Sequence, residues 1–523
     1  MMTSQDVVGT VMLTIEDVAN RLQLSDETVR DMARKGTLPG HKVGRVWRFD
    51  ANEIDRWIKR TPGEPTTVNE PAITDRYTVK MQFDDEAAPT NTPAFRDPAF
   101  TENRDQPVHR WIPWIAGFSC GFVNDCFDRY LGNCQGEPPT IVDPFSGVGT
   151  TLVEAARRGY NAVGFEVNPY PALATRAKLE AVDIDVELLE FWVEAFRSAV
   201  CAAVSRRAIP PMAVPPGFRS RIAFFSPDIE RQVLLSLTFI RGLADQSIRD
   251  MFLVALGSVM VKFSNYSYEP SLGSRPASGK PLIYDADVPG IIISKLHEIV
   301  SDCRSFQSAA HREPRVRQII ADSFFNAGQY LEPNTTDLIV TSPPYLNNYH
   351  YIRNTRPHLF WLNLVTDTGD LKTIEHASFG KYWQTVRDGN ILELSFDLPA
   401  LSEVIGIIRG LNNEKGVYGG SGWANYAVQY FNDTYRFCAE VSRILKPGAC
   451  AVVVVGNSII QGVEIKVDEF LGRIGEIHGL AFEANHMLRT KRVGNSIIRS
   501  SVRQTAEKTA SLYEVAVVLR KPN

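Results

Sequence analysis

Short apolar runs, each ended by turn-forming residues, predict the buried strands of this chain. The clearest lies in residues 337–345, where Leu338-Ile339-Val340 is followed at once by Ser342-Pro343-Pro344-Tyr345. Proline cannot donate to a strand ladder, so this strand ends in a rigid turn. The same kind of pattern predicts further strands at residues 141–142, 162–165, 316–320, 449–455, 481–488 and 513–519.

Apolar residues that recur with the helical period fall between these strands. The pattern is clearest at residues 152–158, 186–204, 228–245, 250–263 and 426–445, and residues 109–131 are aromatic and mostly helical in pattern. Strands that alternate with helices predict an α/β fold with a mostly parallel sheet. Open sheets of this kind bind their ligands at the carboxyl ends of the strands, which makes the proline turn a candidate site.

Residues 11–60 predict a separate small domain. Helices at residues 15–22 and 26–35 are joined by a tight turn, followed by a hairpin-like stretch at 41–49 and a third helix at 50–60. This order resembles the winged helix-turn-helix of the excisionase and MerR-like family. The residues that carry the resemblance are L-T-x-x-x-V-A-x-x-L, S-x-x-T-V-R, G-x-L-P and W-R-F. The resemblance implies DNA contacts from the second helix and the wing, at Thr28, Arg30, Lys42, Arg45 and Arg48. A three-helix module that docks another protein is the alternative.

Residues 61–100 are expected to form a linker, because they contain many prolines and an acidic patch without a sustained period. Residues 77–83 could add an edge strand to the following domain, residues 101–523. Composition supports this division, since 523 residues with 44% hydrophobic residues exceed one small domain. The net charge of −4 gives no overall sign of nucleic-acid binding, so any DNA contact depends on local basic patches.

The seven cysteines form no C-x-x-C pair, so we expect no metal site. Their odd and scattered distribution fits the reducing cytosol. The longest strongly apolar run is too short to span a membrane. We therefore expect a cytoplasmic protein.

A glycine-rich turn, Asp143-Pro-Phe-Ser-Gly-Val-Gly-Thr-Thr151, separates the first predicted core strand from a helix, and Glu166 follows the next strand. Gly147 and Gly149 allow close approach of a ligand, and an acid after the second strand can accept ribose hydroxyls. A P-loop would need a lysine where Thr150 stands, and the dinucleotide G-x-G-x-x-G pattern is absent. The unit therefore predicts a nucleotide-like cofactor that belongs to neither of these classes.

The nonamer closely resembles motif I of the DNA amino-methyltransferases, the S-adenosylmethionine loop, and differs in having Val148 where serine is usual. Ser342-Pro343-Pro344-Tyr345 matches motif IV of that family, and residues 109–119 resemble a divergent motif X. The resemblance implies a class I methyltransferase fold, with a Rossmann-like, seven-stranded, mostly parallel sheet and helical insertions. It also implies S-adenosylmethionine as cofactor, bound by Asp143, Phe145, Ser146, Gly147, Gly149, Thr150, Thr151, Glu166, Asp322 and Trp111. For Asp322, a helix N-cap is the alternative.

By the same resemblance, Ser342, Pro343, Pro344 and Tyr345 form the catalytic motif. The Ser342 side chain and the Pro343 carbonyl would accept both hydrogens of an exocyclic amine, and Tyr345 would stack on a base extruded from the duplex. The family's Ser-Pro-Pro-Tyr form favours N4 of cytosine, whereas Asp-Pro-Pro-Tyr is typical of N6 of adenine. Cytosine C5 chemistry needs a thiolate after proline, and no cysteine here follows a proline.

Residues 170–312 and 346–422 are insertions, and either could recognise the target. The polar loop at 265–280 and the aromatic, basic segment after the proline turn suggest DNA contacts at Arg275, Lys280, Tyr349 and Arg353, although the loop could be a solvated connection. The predicted function is site-specific methylation of double-stranded DNA, with a restriction or phage-defence protein as a possible partner. The alternatives are a DNA methyltransferase that acts on N6 of adenine, an RNA amino-methyltransferase, and a DNA-binding regulator with an inactive methyltransferase fold.

Overall fold

The computed structural model of the protein describes residues 12–22, 26–34, 38–43, 46–58, 95–114, 117–132, 136–268, 271–310, 313, 315–346, 349–491 and 512–523. The chain divides into two compact units, Met1–Arg76 and Tyr77–Asn523. The predicted edge strand at residues 77–83 lies outside the described residues.

The amino-terminal unit contains three helices and a small antiparallel sheet, as the sequence pattern predicts. Val18, Val29, Phe49 and Ile54 are fully buried in its core. The strands pair in the order β1-β3-β2. The elements are β1 (Met12–Leu13), α1 (Ile15–Leu22), α2 (Asp26–Arg34), β2 (His41–Val43), β3 (Val46–Asp50) and α3 (Ala51–Ile58).

The second unit is built on a seven-stranded sheet with the order β13-β14-β10-β9-β4-β5-β8. Neighbouring strands from β10 to β8 are parallel, and β14 is antiparallel to both β10 and β13. The predicted seven-stranded, mostly parallel sheet is therefore confirmed. Its strands are β4 (Thr140–Asp143), β5 (Asn161–Phe165), β8 (Arg317–Ile320), β9 (Thr336–Thr341), β10 (Leu445–Gly456), β13 (Ala481–Lys491) and β14 (Leu512–Arg520).

Helices cover both faces of this sheet. Alternating residues of β9 point to opposite sides, since Leu338 and Val340 belong to one buried core and Ile339 belongs to the other. The helices are α4 (Cys120–Tyr130), α5 (Thr150–Arg157), α6 (Pro169–Glu180), α7 (Val186–Ser205), α8 (Pro227–Gly242), α9 (Gln246–Val259), α10 (Val288–Ala309), α11 (Tyr351–Trp361), α12 (Thr368–Ala377), α13 (Trp383–Val386), α14 (Pro399–Gly410), α15 (Gly420–Ile444) and α16 (Val467–Ile477). None of the helices in the described part is long and apolar enough to cross a membrane.

The first expected insertion, residues 170–312, is largely part of the fold's core. Helix α6 packs on α5, β8 and α9, so it is the crossover helix between β5 and β8. Helices α7 to α10 bury their apolar residues in the same core as one face of the sheet. The expected polar loop at 265–280 contains a hairpin of β6 (Tyr266–Tyr268) and β7 (Leu272–Ser274). Asn354 contacts both strands: its carbonyl accepts from the Tyr268 hydroxyl at 3.2 Å, and its side chain accepts from the Leu272 amide at 2.9 Å.

Two other expectations need correction. Phe95 and Phe100 are buried in the second unit, and the Phe95 and Phe122 rings lie 5.2 Å apart, so the expected linker ends before Phe95. Residues 109–131 are less helical than expected, because Pro113 cannot continue a helix. A short 3-10 helix, His109–Trp111, precedes α4 there. The remaining two short strands, β11 (Ser458–Ile460) and β12 (Val463–Ile465), form a hairpin after β10.

Candidate functional site

The candidate site lies where β4 and β9 end side by side. Ile141 pairs with Leu338 and Val142 with Ile339 in a parallel register. From β4 the chain crosses to β5 and β8 on one side and then returns to β9 on the other. Such a switch point opens a crevice at the carboxyl ends of the two strands. The glycine-rich loop follows β4 and the proline turn follows β9, so the fold brings the two motifs together.

The glycine-rich loop is a tight turn supported from several sides. The Gly149 amide donates to the Ser146 carbonyl at 2.7 Å, and the Ser146 amide donates to the Phe165 carbonyl at 3.0 Å. Gly149 has a left-handed φ of 84°, and a Cβ there would lie 2.8 Å from Oγ1 of Thr175. Because both the backbone angle and the close contact exclude a side chain, glycine is required at this position.

Glu166 is fixed by the backbone on both sides. Its Oε2 accepts from the Gly147 amide at 3.0 Å, and its Oε1 accepts from the Asn168 amide at 2.8 Å. Burial of the carboxyl group raises the pKa of Glu166 to about 7, although these backbone amides lower it. A carboxylate held in this way presents its remaining lone pairs to the crevice in a defined direction.

Asp322 follows β8 and is also anchored. It accepts hydrogen bonds from the Ser323 amide at 2.7 Å, the Asn326 side chain at 2.9 Å and the Tyr330 hydroxyl at 2.9 Å. The N-cap of the 3-10 helix Phe324–Gln329 is Ser323 and not Asp322. The alternative that Asp322 is the N-cap of this helix is therefore wrong. Its side chain is half-exposed at the end of β8.

The proline turn presents oxygen atoms at the end of β9. The Ser342 hydroxyl donates a hydrogen bond to the Val454 carbonyl of β10 at 3.2 Å. The Ser342 side chain also forms a hydrogen bond with the Tyr345 hydroxyl. Pro343 is buried. No backbone amide of the described residues donates to the Pro343 carbonyl. The Tyr345 ring lies 3.5 Å from the Cβ position of Gly456, so it packs beside the end of β10.

One cleft of about 110 Å³ joins these strand ends. Expected site residues that line it are Phe145, Gly147, Glu166, Asp322, Ser342 and Pro344. Tyr345 does not line it, so its predicted stacking on a base stays a prediction. Five further expected cofactor contacts are buried behind the loop and support it: Asp143, Ser146, Gly149, Thr150 and Thr151.

Asp143 links the two motifs directly. Its Oδ1 accepts from Thr341 Oγ1 at 2.6 Å and from the Phe145 amide at 3.1 Å. Thr151 supports the same strand, because its hydroxyl donates to the Val340 carbonyl at 3.1 Å. Burial raises the pKa of Asp143 to about 6, against the hydrogen bonds that lower it. Asp143 therefore holds the loop and the proline turn in register, and it does not line the cleft.

The expected contact from Trp111 is wrong, because its side chain is fully buried in the core and its Nε1 donates to Asp302 at 3.0 Å. Trp114 takes that place: it lines the cleft, and its Nε1 lies 3.4 Å from the Cβ position of Gly147. Both tryptophans lie in the stretch that resembles motif X. The sequence offered no signal to choose between them, since the stretch is only partly helical.

A larger cavity of about 410 Å³ adjoins the cleft and shares Trp114 and Tyr351 with it. Sequence analysis did not predict this cavity, because its walls come from segments that are far apart in the sequence. Its described lining contains no carboxylate side chain. The aromatic lining residues are Trp114, Tyr170, Tyr266, Tyr268, Tyr349, Tyr351 and His358, and the basic ones are Arg104, Lys262 and Arg275.

The expected DNA contacts fall into two groups. In the amino-terminal unit, Thr28 and Arg30 are exposed on α2, and Arg48 on β3 donates to the Trp47 carbonyl at 3.0 Å. Lys42 lies in β2, but its side chain and all of Arg45 are outside the described residues. In the second unit Arg275 and Tyr349 line the larger cavity, while Lys280 and Arg353 are exposed.

Comparison with known proteins agrees with this arrangement. Residues 12–62 match the family described as a helix-turn-helix domain. Type II methyltransferase M.BsoBI from Geobacillus stearothermophilus is 23% identical over 431 residues, which cover 76% of this chain and 83% of the relative. Type II methyltransferase M.AvaI from Anabaena variabilis is 23% identical and covers 81% of this chain and 88% of its own length.

A shorter match has a higher identity. Type II methyltransferase M.MjaII from Methanocaldococcus jannaschii is 43% identical over 162 residues, 31% of this chain and 27% of the relative. Among solved structures, the rRNA methyltransferase aviRa from Streptomyces viridochromogenes aligns over 78% of this chain and 87% of its own, with 11% identity. Its TM-score of 0.25 is too low to carry an argument.

These matches test the resemblance that the motifs predict. The relatives span most of the chain and share the name type II methyltransferase, which agrees with the expected enzyme class. The predicted resemblance to the DNA methyltransferases, preceded by a helix-turn-helix domain, is thereby confirmed.

Proposed function

We propose that this chain transfers a methyl group from S-adenosylmethionine to the exocyclic N4 of cytosine in double-stranded DNA. The observation that carries the proposal is one cleft lined by Gly147, Glu166 and Asp322 on one side and by Ser342 on the other. The names of the type II methyltransferase relatives support DNA as the substrate.

The residues of the cleft fit the cofactor. Phe324 offers an apolar surface and Asp322 a hydrogen-bond acceptor, which suits an adenine ring with its amino group. Glu166 would accept the ribose hydroxyls. The cleft alone is small for the whole molecule, and the adjoining cavity beyond Trp114 gives room for the amino-acid end, with Lys262 as a partner for its carboxylate. When bound, S-adenosylmethionine supplies the reactive methyl group as a sulfonium.

The proline turn would prepare the amine. Because the Ser342 hydroxyl directs its proton to the Val454 carbonyl, its oxygen keeps a lone pair that can accept a hydrogen bond. The Pro343 carbonyl offers a second acceptor on the same rigid turn. Two acceptors that bind both hydrogens of an aromatic amine favour a pyramidal nitrogen with an available lone pair. A base inside the duplex cannot reach them, so it must be extruded.

Cytosine is proposed over adenine because this turn carries serine before the two prolines. The exposed Thr28 and Arg30 of α2 would add contacts to DNA from the helix-turn-helix unit. Target recognition would come from the segments around the larger cavity, where Arg275 and Tyr349 lie. A cytoplasmic enzyme that acts beside a cognate restriction nuclease fits the type II relatives.

Methyl incorporation tests this proposal. The full chain is incubated with radiolabelled S-adenosylmethionine and, in parallel, with duplex DNA or with transfer RNA, and heat-inactivated protein serves as control. We expect label in duplex DNA only. Label in transfer RNA alone would make the chain an RNA methyltransferase, and no label in either would favour a regulator with an inactive fold.

A further inference from the structure

Lys178 is a buried lysine that the cleft chemistry leaves unused. It lies on α6 with its side chain fully buried. No carboxylate of the described residues forms an ion pair with it; instead its Nζ donates to backbone carbonyls. Burying an ammonium group without a countercharge is costly, so the position is expected to serve a purpose other than packing.

The partners of Lys178 connect it to the cofactor loop. Its Nζ donates to the Val148 carbonyl at 2.9 Å and to the His109 carbonyl at 3.4 Å. Thr175 lies three residues earlier on the same helix face and donates its hydroxyl to the Gly147 carbonyl at 2.9 Å. One face of α6 therefore binds two successive carbonyls of the glycine-rich loop.

This contact depends on the glycine behind it. The side chain of Thr175 lies against Gly149, where a Cβ would meet Oγ1 at 2.8 Å. The Gly147 amide is held by Glu166, so both the amide and the carbonyl of Gly147 are fixed. Because Lys178 donates to the next carbonyl, that of Val148, the backbone of the turn is held at successive positions.

We infer that Lys178 is a positioning residue for S-adenosylmethionine: its ammonium group, together with Thr175, holds the Gly147 and Val148 carbonyls and fixes the loop in its binding shape. The inference rests on the proposed cofactor site. It goes beyond that site because Lys178 lies outside the cleft and acts through the loop.

The charged groups around Lys178 determine how its hydrogen bonds to the glycine-rich loop depend on pH. Burial, together with a smaller effect of the nearby ammonium of Lys295 on α10, lowers the pKa of Lys178 to about 7. His109, whose carbonyl Lys178 binds, pairs through its ring with Glu154 at 2.8 Å. In the cleft itself, burial raises the pKa of Glu166 to about 7.

Titration of Glu166 and titration of Lys178 should have opposite effects on the affinity for S-adenosylmethionine. As pH rises through about 7, Glu166 ionises and becomes a better acceptor for ribose hydroxyls, which strengthens binding. Over the same range Lys178 loses its proton and its hydrogen bonds to the loop lose their charge, which weakens binding. The affinity of the wild type for S-adenosylmethionine should therefore pass through a maximum near neutral pH.

Lys178→Met tests the inference, since methionine keeps the length of the side chain and removes its charge. Calorimetry of the full chain with S-adenosylmethionine is run from about pH 5.5 to about pH 8.5. At the pH of the wild-type maximum we expect about a tenfold higher Kd, because charge-assisted hydrogen bonds are lost. The fall in affinity on the alkaline side should disappear, while the rise on the acidic side remains.

A second readout separates positioning from folding. Unfolded lysine keeps its proton up to the ordinary value of 10.5, whereas folded Lys178 loses it near 7. Between these two pKa values the unfolded state binds more protons than the folded state. The unfolding free energy of the wild type should therefore increase as pH rises above about 7. Lys178→Met should be folded and should lack this contribution.

Two further variants keep the test decisive. Lys295→Met removes the repelling charge and should move the alkaline fall to higher pH. Thr175→Val, which removes the neighbouring hydrogen bond without a change of charge, should weaken binding and keep the alkaline fall. Wild-type affinity in Lys178→Met, or an alkaline fall that persists in it, would overturn the inference. If the wild type bound no S-adenosylmethionine at any pH, the proposed function would fail first.

Discussion

Two turns at adjacent strand ends, the glycine-rich loop after β4 and the proline turn after β9, reach rigidity by opposite means. The loop uses glycines, whose left-handed angles no other residue adopts easily, and it needs Glu166, Thr175 and Lys178 to hold its amides and carbonyls. The proline turn is rigid because the pyrrolidine rings of Pro343 and Pro344 fix the backbone angle φ. Its described contacts are few, mainly the hydrogen bond from the Ser342 hydroxyl to the Val454 carbonyl.

The two turns should therefore respond to different substitutions. A glycine turn depends on its surroundings, so changes behind it should alter cofactor affinity. A proline turn is fixed by its own covalent structure, so changes of its side chains should alter chemistry more than geometry. The hydrogen bond from Thr341 to Asp143 is the direct link between the two.

The largest effect is expected for Ser342→Ala. Loss of the acceptor for the target amine should lower kcat by about 100-fold, in the range found when one hydrogen-bonding group is removed from a reacting centre. The Kd for S-adenosylmethionine should stay within about twofold, because the loop is untouched. Single-turnover methylation and calorimetry measure the two quantities.

The matched control is Ser442→Ala, which removes a half-buried hydroxyl that donates to the carbonyl of His478, the residue after α16. Its methylation rate should equal that of the wild type. A stable Ser342→Ala protein with full activity would remove Ser342 from the site.

Gly149→Ala should come second and should affect affinity. The new Cβ would lie 2.8 Å from Thr175 Oγ1 on a backbone with φ of 84°, so the loop must shift. We expect about a tenfold higher Kd for S-adenosylmethionine and a loss of about 1–2 kcal/mol in unfolding free energy. Gly132→Ala is the control, since nothing lies within 4 Å of its Cβ position. Equal affinity in both variants would contradict the dependence of the loop on α6.

Thr341→Val tests the link between the turns and should have the smallest effect on function. It removes the donor to the buried Asp143 carboxylate, which should lower the unfolding free energy by about 1–3 kcal/mol. We expect a several-fold fall in kcat as well, because the two turns lose their common register. Denaturant unfolding and steady-state kinetics measure these changes, and Thr341→Ser, which keeps the hydroxyl, should restore both. A Thr341→Val protein of wild-type stability would show that the bond does not connect the turns.

The parts of the site that depend on short, local sequence were predictable. Strand ends, the glycine turn, Glu166 and Asp322 follow from apolar runs and from the residues after them, and the structure brings them to one cleft. Trp114 and the larger cavity were not predictable, because they depend on how distant segments pack. Lys178 was hidden for the same reason: within a helix it reads as an ordinary surface lysine, and only the fold buries it beneath the loop.

The most direct test of the account is the identity of the methylated nucleoside. Duplex DNA is incubated with the full chain and S-adenosylmethionine, digested to nucleosides and analysed by mass spectrometry, with Ser342→Ala in parallel. The account predicts N4-methylcytosine from the wild type and nearly none from the variant. N6-methyladenine would contradict the choice of base, and an equal yield from the variant would contradict the site itself.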